Sequence, residues 1–173
     1  MFYKCMQYNM NEYINLTAEN NITIRKATTQ DIDEIIKLNK ILFDLEYNNF
    51  DDTLNINRPT SDEWKSYFQD SITKNITLVA TIDDYIIGYL IWNLDSQFSY
   101  NTVKQAELNN MCILDKYRKF GIGTKLINEF KKICNNNSIQ EIKVTASYKN
   151  INAIEFYKKN GFNESELTLK LEI

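Results

Sequence analysis

The stretch Met111 to Thr124, MCILDKYRKFGIGT, constrains the chain more than any other. It passes from an apolar run through a basic loop to two glycines one residue apart. Ile122, Leu126, Ile127, Phe130 and Ile133 then recur at helical spacing. The order is strand, loop, helix N-terminus. Such a junction leaves the first-turn N–H groups without intrahelical acceptors. With no side chain at Gly121 or Gly123, the hollow suits a phosphate or pyrophosphate, and Arg118 and Lys119 add positive charge. A tight turn that needs small residues only for packing is the competing reading. Other nucleotide loops fit less well, since neither GxxxxGK(S/T) nor a full GxGxxG with a distal ribose-binding acid occurs.

The rest of the chain supplies a sheet for this junction to belong to. Ile22 to Ala27 alternates as a half-buried strand, and Thr28 with Asp31 marks a helix start whose apolar face carries Ile32, Ile35, Ile36, Leu38, Leu42 and Leu45. Asp51 to Pro59 reads as loop, and Thr60-x-x-Glu63 as a capping box that opens a second helix. Ile76–Ala80 and Tyr85–Trp92 form a hairpin about Asp83-Asp84, and Gln105–Leu114 is a third long strand. A helix over Gly121–Cys134, a strand over Glu141–Ala146, a helix over Asn152–Lys159 and an alternating strand over Leu167–Ile173 complete the chain. The predicted order is β-α-α-β-β-β-α-β-α-β, an α/β (α+β) fold with a mixed, mostly antiparallel central sheet flanked by helices. Residues 1–21, rich in Asn and Tyr, read as an N-terminal extension, and 22–173 as the domain.

Composition narrows the chemistry. The chain has 173 residues and a net charge of -3, which argues against nucleic acid as a partner. It contains no histidine, so Ser-His-Asp and Cys-His nucleophilic schemes and His-ligated metal sites are excluded. Cys5, Cys112 and Cys134 form neither a disulfide framework nor a CxxC metal spacing; the expectation is no metal and a reducing, cytoplasmic location. Neither a signal peptide nor an apolar run of membrane-spanning length is present, so no membrane role is expected.

Two segments together resemble the GNAT superfamily of N-acetyltransferases. Arg118-Lys119-Phe120-Gly121-Ile122-Gly123 is similar to the family's Arg/Gln-x-x-Gly-x-Gly/Ala. Asn150-Ile151-Asn152-Ala153-Ile154-Glu155-Phe156-Tyr157-Lys158-Lys159-Asn160-Gly161-Phe162 is similar to its Asn-x-x-Ala-x-x-Phe-Tyr-x-Lys-x-Gly-Phe element. Lys119 and Phe120 depart from a commoner Gly-Lys or Gly-Gln pair, and Asp115 from a frequent proline. The resemblance spans Ile22 to the C-terminus. It implies an enzyme that uses acetyl-CoA, releases CoA, and acetylates a small-molecule amine or a protein amino group by direct attack in a ternary complex.

The same resemblance assigns residues. The backbone of Met111, Cys112 and Ile113 would flank pantetheine and the acetyl group. Arg118, Lys119, Phe120, Gly121, Ile122, Gly123 and Thr124 would hold the pyrophosphate, and Asn150 would sit near the cofactor across a gap in the sheet. Glu107 is the candidate base, through water, against the plainer reading of a solvated strand carboxylate. Tyr157 is the candidate acid for the leaving thiolate, against that of a core aromatic. Cys112 reads as an inert core thiol rather than an acyl-enzyme nucleophile, there being no base to ionise it. Asp44, Glu46, Asp51 and Asp52 form an acidic rim suited to a cationic amine, or else a solvated loop. A non-catalytic acyl-CoA binding module is the alternative function, and a homodimer through the extension and terminal strand a further one.

Overall fold

The computed structural model describes residues 22–94 and 102–171. Five strands form one sheet in the order β1 (Ile22–Lys26), β2 (Thr77–Ile82), β3 (Tyr85–Leu94), β4 (Gln105–Ile113), β5 (Glu141–Val144). The first four run antiparallel to their neighbours, and β5 joins β4 in parallel. The hairpin between β2 and β3 turns on Asp83 and Asp84, both at positive φ (46° and 67°), the pairing a type I′ turn needs to match strand twist.

Alternation along the strands sends side chains into two cores. One face packs Leu78, Leu90, Trp92 and Leu108 beneath α3 (Ile122–Asn136), with Phe156 and Tyr157 of α4 (Ile151–Lys159) against it. The other packs Val79, Tyr89, Ile91 and Cys112 beneath α1 (Ile32–Asn49) and α2 (Asp62–Thr73). A buried chain of polar bonds locks that second layer. Trp64 Nε1 donates to Asn39 Oδ1 at 2.7 Å, and Asn39 Nδ2 donates to the Tyr89 hydroxyl at 2.7 Å, so α2, α1 and β3 are tied without an orphaned group. Asp31 fixes the start of α1 by accepting from Thr28 N at 2.7 Å and from both terminal nitrogens of Arg25 on β1.

Two expectations need correction, and one strand carries an irregularity. The second helix is capped by Ser61, whose hydroxyl accepts from Trp64 N at 3.2 Å, rather than by Thr60; Thr60 belongs to a short 3-10 turn over Arg58–Thr60. β4 is not evenly pleated. Ile91 and Trp92 pair with Asn110 and Leu108, so Asn109 is an extra, bulged residue. The terminal strand is also not formed over its described part: residues 162–171 enter no ladder, and Leu167, Leu169 and Leu171 are 83%, 84% and 88% exposed. Alternation supplies a face but not a neighbour. Its side chains meet the domain through largely exposed ion pairs, Lys158–Glu164 at 2.6 Å, Lys143–Glu166 at 3.4 Å and Lys170–Asp51 at 3.5 Å, each worth little in water. Its last two residues, and the extension 1–21, lie outside the described residues. Among the described residues no helix is long and apolar enough to cross a membrane.

Candidate active site

The sheet comes apart along one line. β4 pairs with β5 only from Gln105↔Glu141 to Leu108↔Val144, while on its other side it stays laddered to β3 as far as Ile113. From Asn109 to Ile113 the β5 side of β4 therefore has no strand partner, and the sheet opens into a wedge whose apex is the bulge. Met111, Cys112 and Ile113 lie along this free edge. At the apex the Asn109 side-chain oxygen is buried with no hydrogen-bond partner, an acceptor waiting for a donor.

The wide end of the wedge is the basic loop. After a 3-10 turn over Asp115–Tyr117 the chain passes through positive φ at Lys119 (66°) and Gly121 (78°), then enters α3. The first backbone bond of the helix runs from Lys125 N to Gly121 O at 3.0 Å, so the amides of Ile122, Gly123 and Thr124 precede any intrahelical acceptor. The two glycines do different jobs. A Cβ on Gly121 would meet nothing within 4 Å, which leaves the helix mouth open; a Cβ on Gly123 would lie 2.8 Å from Phe156 Cζ and 3.2 Å from Ile113 Cδ1. Gly123 is thus a packing glycine, as the plainer reading of the motif held, and Gly121 fits the anion cradle. Arg118 is engaged locally: its Nε donates to Ile113 O at 3.0 Å and Nη1 meets Asp115 Oδ1 at 3.2 Å, stapling the loop to the strand end. The exposed Phe120 ring flanks this turn.

Across the wedge, Asn150 caps α4 by accepting from Ala153 N at 3.1 Å, while its Nδ2 donates to Glu46 Oε1 on α1 at 3.2 Å. Burial pushes the Tyr157 hydroxyl up to about 12, with the Glu46 charge adding to the shift, and its ring packs edgewise on Phe156 and Phe162. Burial also raises the Glu46 carboxyl; the Asn150 bond opposes this and Asp51 adds to it. The Cys112 thiol is pushed to about 11, chiefly by burial, with Arg118 only partly offsetting it, so the thiolate is scarce. Glu107 stands apart. It is exposed, on the paired half of β4 beside Asn93 and Lys143, and faces α2, where its charge helps to raise the Tyr67 phenol behind the larger effect of burial.

The structure ties the Arg118–Thr124 loop to the Met111–Ile113 strand end through the Arg118–Ile113 bond, seats Phe156, the neighbour of Tyr157, on Gly123, links Asn150 to Glu46, and leaves Glu107 exposed on the paired half of β4. Glu46 and Asn109 are the additions. Glu46 stood only as one acid of a rim; the Asn109-Asn110 pair, poor strand formers inside a strand, was the available signal for an irregularity.

Against known proteins, the model of the acetyltransferase (GNAT) family matches residues 42–162. The chain belongs to that family. By that membership it is an N-acetyltransferase. An N-alpha-acetyltransferase of Sulfurisphaera tokodaii is 27% identical over 147 residues, which is 82% of this chain and 80% of the relative. An X-ray structure of a tetramutant of the BH1408 protein of Bacillus halodurans superimposes with a TM-score of 0.77 at 22% identity, over 87% of this chain and 99% of that one. Aminoglycoside N-acetyltransferase AAC(6')-Iy in complex with CoA gives 0.70 at 15% identity, over 90% and 97%. These two structural likenesses speak to the GNAT fold alone.

Proposed function

We propose that this chain moves an acetyl group from acetyl-CoA to a primary amine by direct attack in a ternary complex, with a protein α-amino group as the favoured acceptor. The observation that carries the reading is the half-unzipped β4, which ends on the open amides of α3. Five residues of free strand edge, Asn109 to Ile113, run about 13 Å at roughly 3.3 Å per step, enough to bond the amides of an extended pantetheine arm. A diphosphate suits the helix mouth at Gly121, where unpaired amides and the helix dipole coincide. The relatives named N-alpha-acetyltransferase support the choice of acceptor, and the CoA complex of AAC(6')-Iy supports the cofactor.

The thioester supplies an activated acyl carbon; the chain's own residues align it and manage protons. Tyr157 keeps its proton at any working pH, because its hydroxyl lies near 12. Against a thiol of about 8.5, full proton transfer from that phenol is uphill, so Tyr157 acts by donating a hydrogen bond to the departing sulfur. Glu107, exposed to water, takes the proton that the attacking amine sheds. Cys112 serves as packing, since a thiol near 11 is a poor nucleophile at neutral pH.

Calorimetry with CoA and acetyl-CoA, followed by thiol release against peptides with free N-termini and a panel of small amines, tests this. Binding with turnover on free-amine peptides is the expected result. Binding without turnover across the panel would favour the acyl-CoA binding module, and no binding would remove the reading.

A further inference from the structure

The acids between the first two helices are not equivalent. Asp44 is paired with Lys40, Asp51 meets Lys170 at 3.5 Å, and Asp52 is exposed. Glu46 differs from all three. It is half-buried, and among the described residues it forms no ion pair; its side-chain bond is to the neutral amide of Asn150 at 3.2 Å. One neutral donor leaves most of a carboxylate's acceptor capacity unused. Glu46 also lies in the last turn of α1, which carries no basic residue, so the negative end of the helix adds to an uncompensated anion.

Its position gives that anion a purpose. α1 covers one face of the sheet and α4 packs against the other, so the Glu46–Asn150 bond crosses the line along which β4 and β5 part. Glu46 is also near enough for its charge to act on Tyr157. A half-buried carboxylate beside this line, held by a neutral amide and without a cation among the described residues, is already partly desolvated and can take a positive partner at little further cost. We infer that Glu46 is the seat of the acceptor's ammonium group, so that this chain selects cationic primary amines through a single carboxylate rather than through a diffuse acidic rim. The inference rests on the wedge being the site of acetyl transfer, and it deepens that reading. An ammonium brings three donors, enough to bind the open Glu46 oxygen while Asn150 keeps the other in place; one of its protons leaves through water to Glu107 before the nitrogen attacks, and a remaining N–H keeps the bond to Glu46. It would also cancel the charge that helps to hold the Tyr157 proton tight, easing hydrogen-bond donation to sulfur when acceptor is present.

The test uses the full chain saturated with CoA and a tetrapeptide with a free α-amino group, with putrescine as a second probe, compared with the N-acetylated tetrapeptide and N,N′-diacetylputrescine. Calorimetry on wild type, Glu46→Gln and the rim control Asp52→Asn should show Glu46→Gln weakening both free amines about tenfold, as expected for a partly desolvated charge pair. The acetylated forms and Asp52→Asn should be little changed. Titration with CoA alone should give the same affinity in all three proteins, and Glu46→Gln should melt no lower than wild type, because glutamine preserves size and an acceptor oxygen while removing a charge that burial and the helix end disfavour. If Glu46→Gln binds both free amines as tightly as wild type while CoA binding persists, the seat is refuted and the transfer reading stands. If wild type fails to bind CoA, the transfer reading falls and takes the seat with it.

Discussion

Replacing Gly123 by alanine tests the packing that links the cofactor loop to α4. The added methyl would lie 2.8 Å from Phe156 Cζ, 3.0 Å from Cε2 and 3.2 Å from Ile113 Cδ1. The first of these is closer than carbon atoms tolerate, and the ring cannot swing freely because it packs on Tyr157 and the α3 core. Relief must come from moving α4 or bending the start of α3. Overpacking of this kind costs about 1–3 kcal/mol. At roughly 2–4 °C per kcal/mol for a chain of this length, a mid-range cost lowers the melting temperature by about 4–8 °C. Gly121→Ala is the internal comparison, since its Cβ meets nothing and the cost is that of a left-handed alanine, about 1–2 kcal/mol. Thermal melts followed by circular dichroism give the stabilities, and CoA titration gives the second readout. Gly123→Ala should weaken CoA binding as well as stability, because Phe156 adjoins Tyr157. A Gly123→Ala protein melting within about 1 °C of wild type with undiminished CoA affinity would refute the reasoning.

Tyr157→Phe should lower kcat by about a hundredfold or more with an unchanged melt at neutral pH; an unaltered kcat would return the residue to the core. Because the folded phenol lies near 12 and the free one at 10.0, the stability tied to its proton is intact below pH 10 and lost as pH climbs towards 12. Tyr157→Phe should escape that alkaline loss, and a wild type as alkali-resistant as the variant would contradict the shift. Asp31→Asn should cost about 1.5 kcal/mol in urea unfolding at pH 7, the lower end for bonds to a charged group because Arg25 is partly solvated. Asp31 is held below its ordinary value of 3.8, chiefly by Arg25, so its contribution is present above that pH and fades as pH falls through the lower folded value; a gap that persists in strong acid would be the wrong sign. In a Cys5→Ser background, iodoacetamide at pH 8 should label native Cys112 far more slowly than in urea; rapid native labelling would reopen the acyl-enzyme route.

Local signals in the sequence were reliable where the physics is local. Helical spacing fixed α3 to within two residues of its ends, and Asp83-Asp84 marked its turn because two successive positive φ values favour such residues. The reading of Gln105–Leu114 as a strand located β4 to within one residue but not its bulge, since one chain's residues describe a strand and a bulge is a mismatch between two. The terminal Leu-Thr-Leu-Lys-Leu pattern failed for the same reason: it describes a side-chain face, whereas a strand requires a backbone beside it. Of the site, the loop and Tyr157 were legible through their motifs. Lys119 at positive φ was not, because lysine carries no preference for that region. Glu46 could be named but not singled out, as its partner Asn150 lies 104 residues away and its want of a cation among the described residues shows only in three dimensions.

The supernumerary residue in β4 makes this strand unusual in how it would answer to shortening. Excising one position from a central strand ordinarily inverts the inside and outside of everything on one flank. Here Leu108 already points to the α3 layer and Asn110 shares the α1 layer with Cys112, so excision of Asn109 would join two segments that are in phase. The shortened chain should keep both cores and gain a regular ladder, while losing the kink at the apex of the wedge. Folding and turnover would thereby be separated by a single codon.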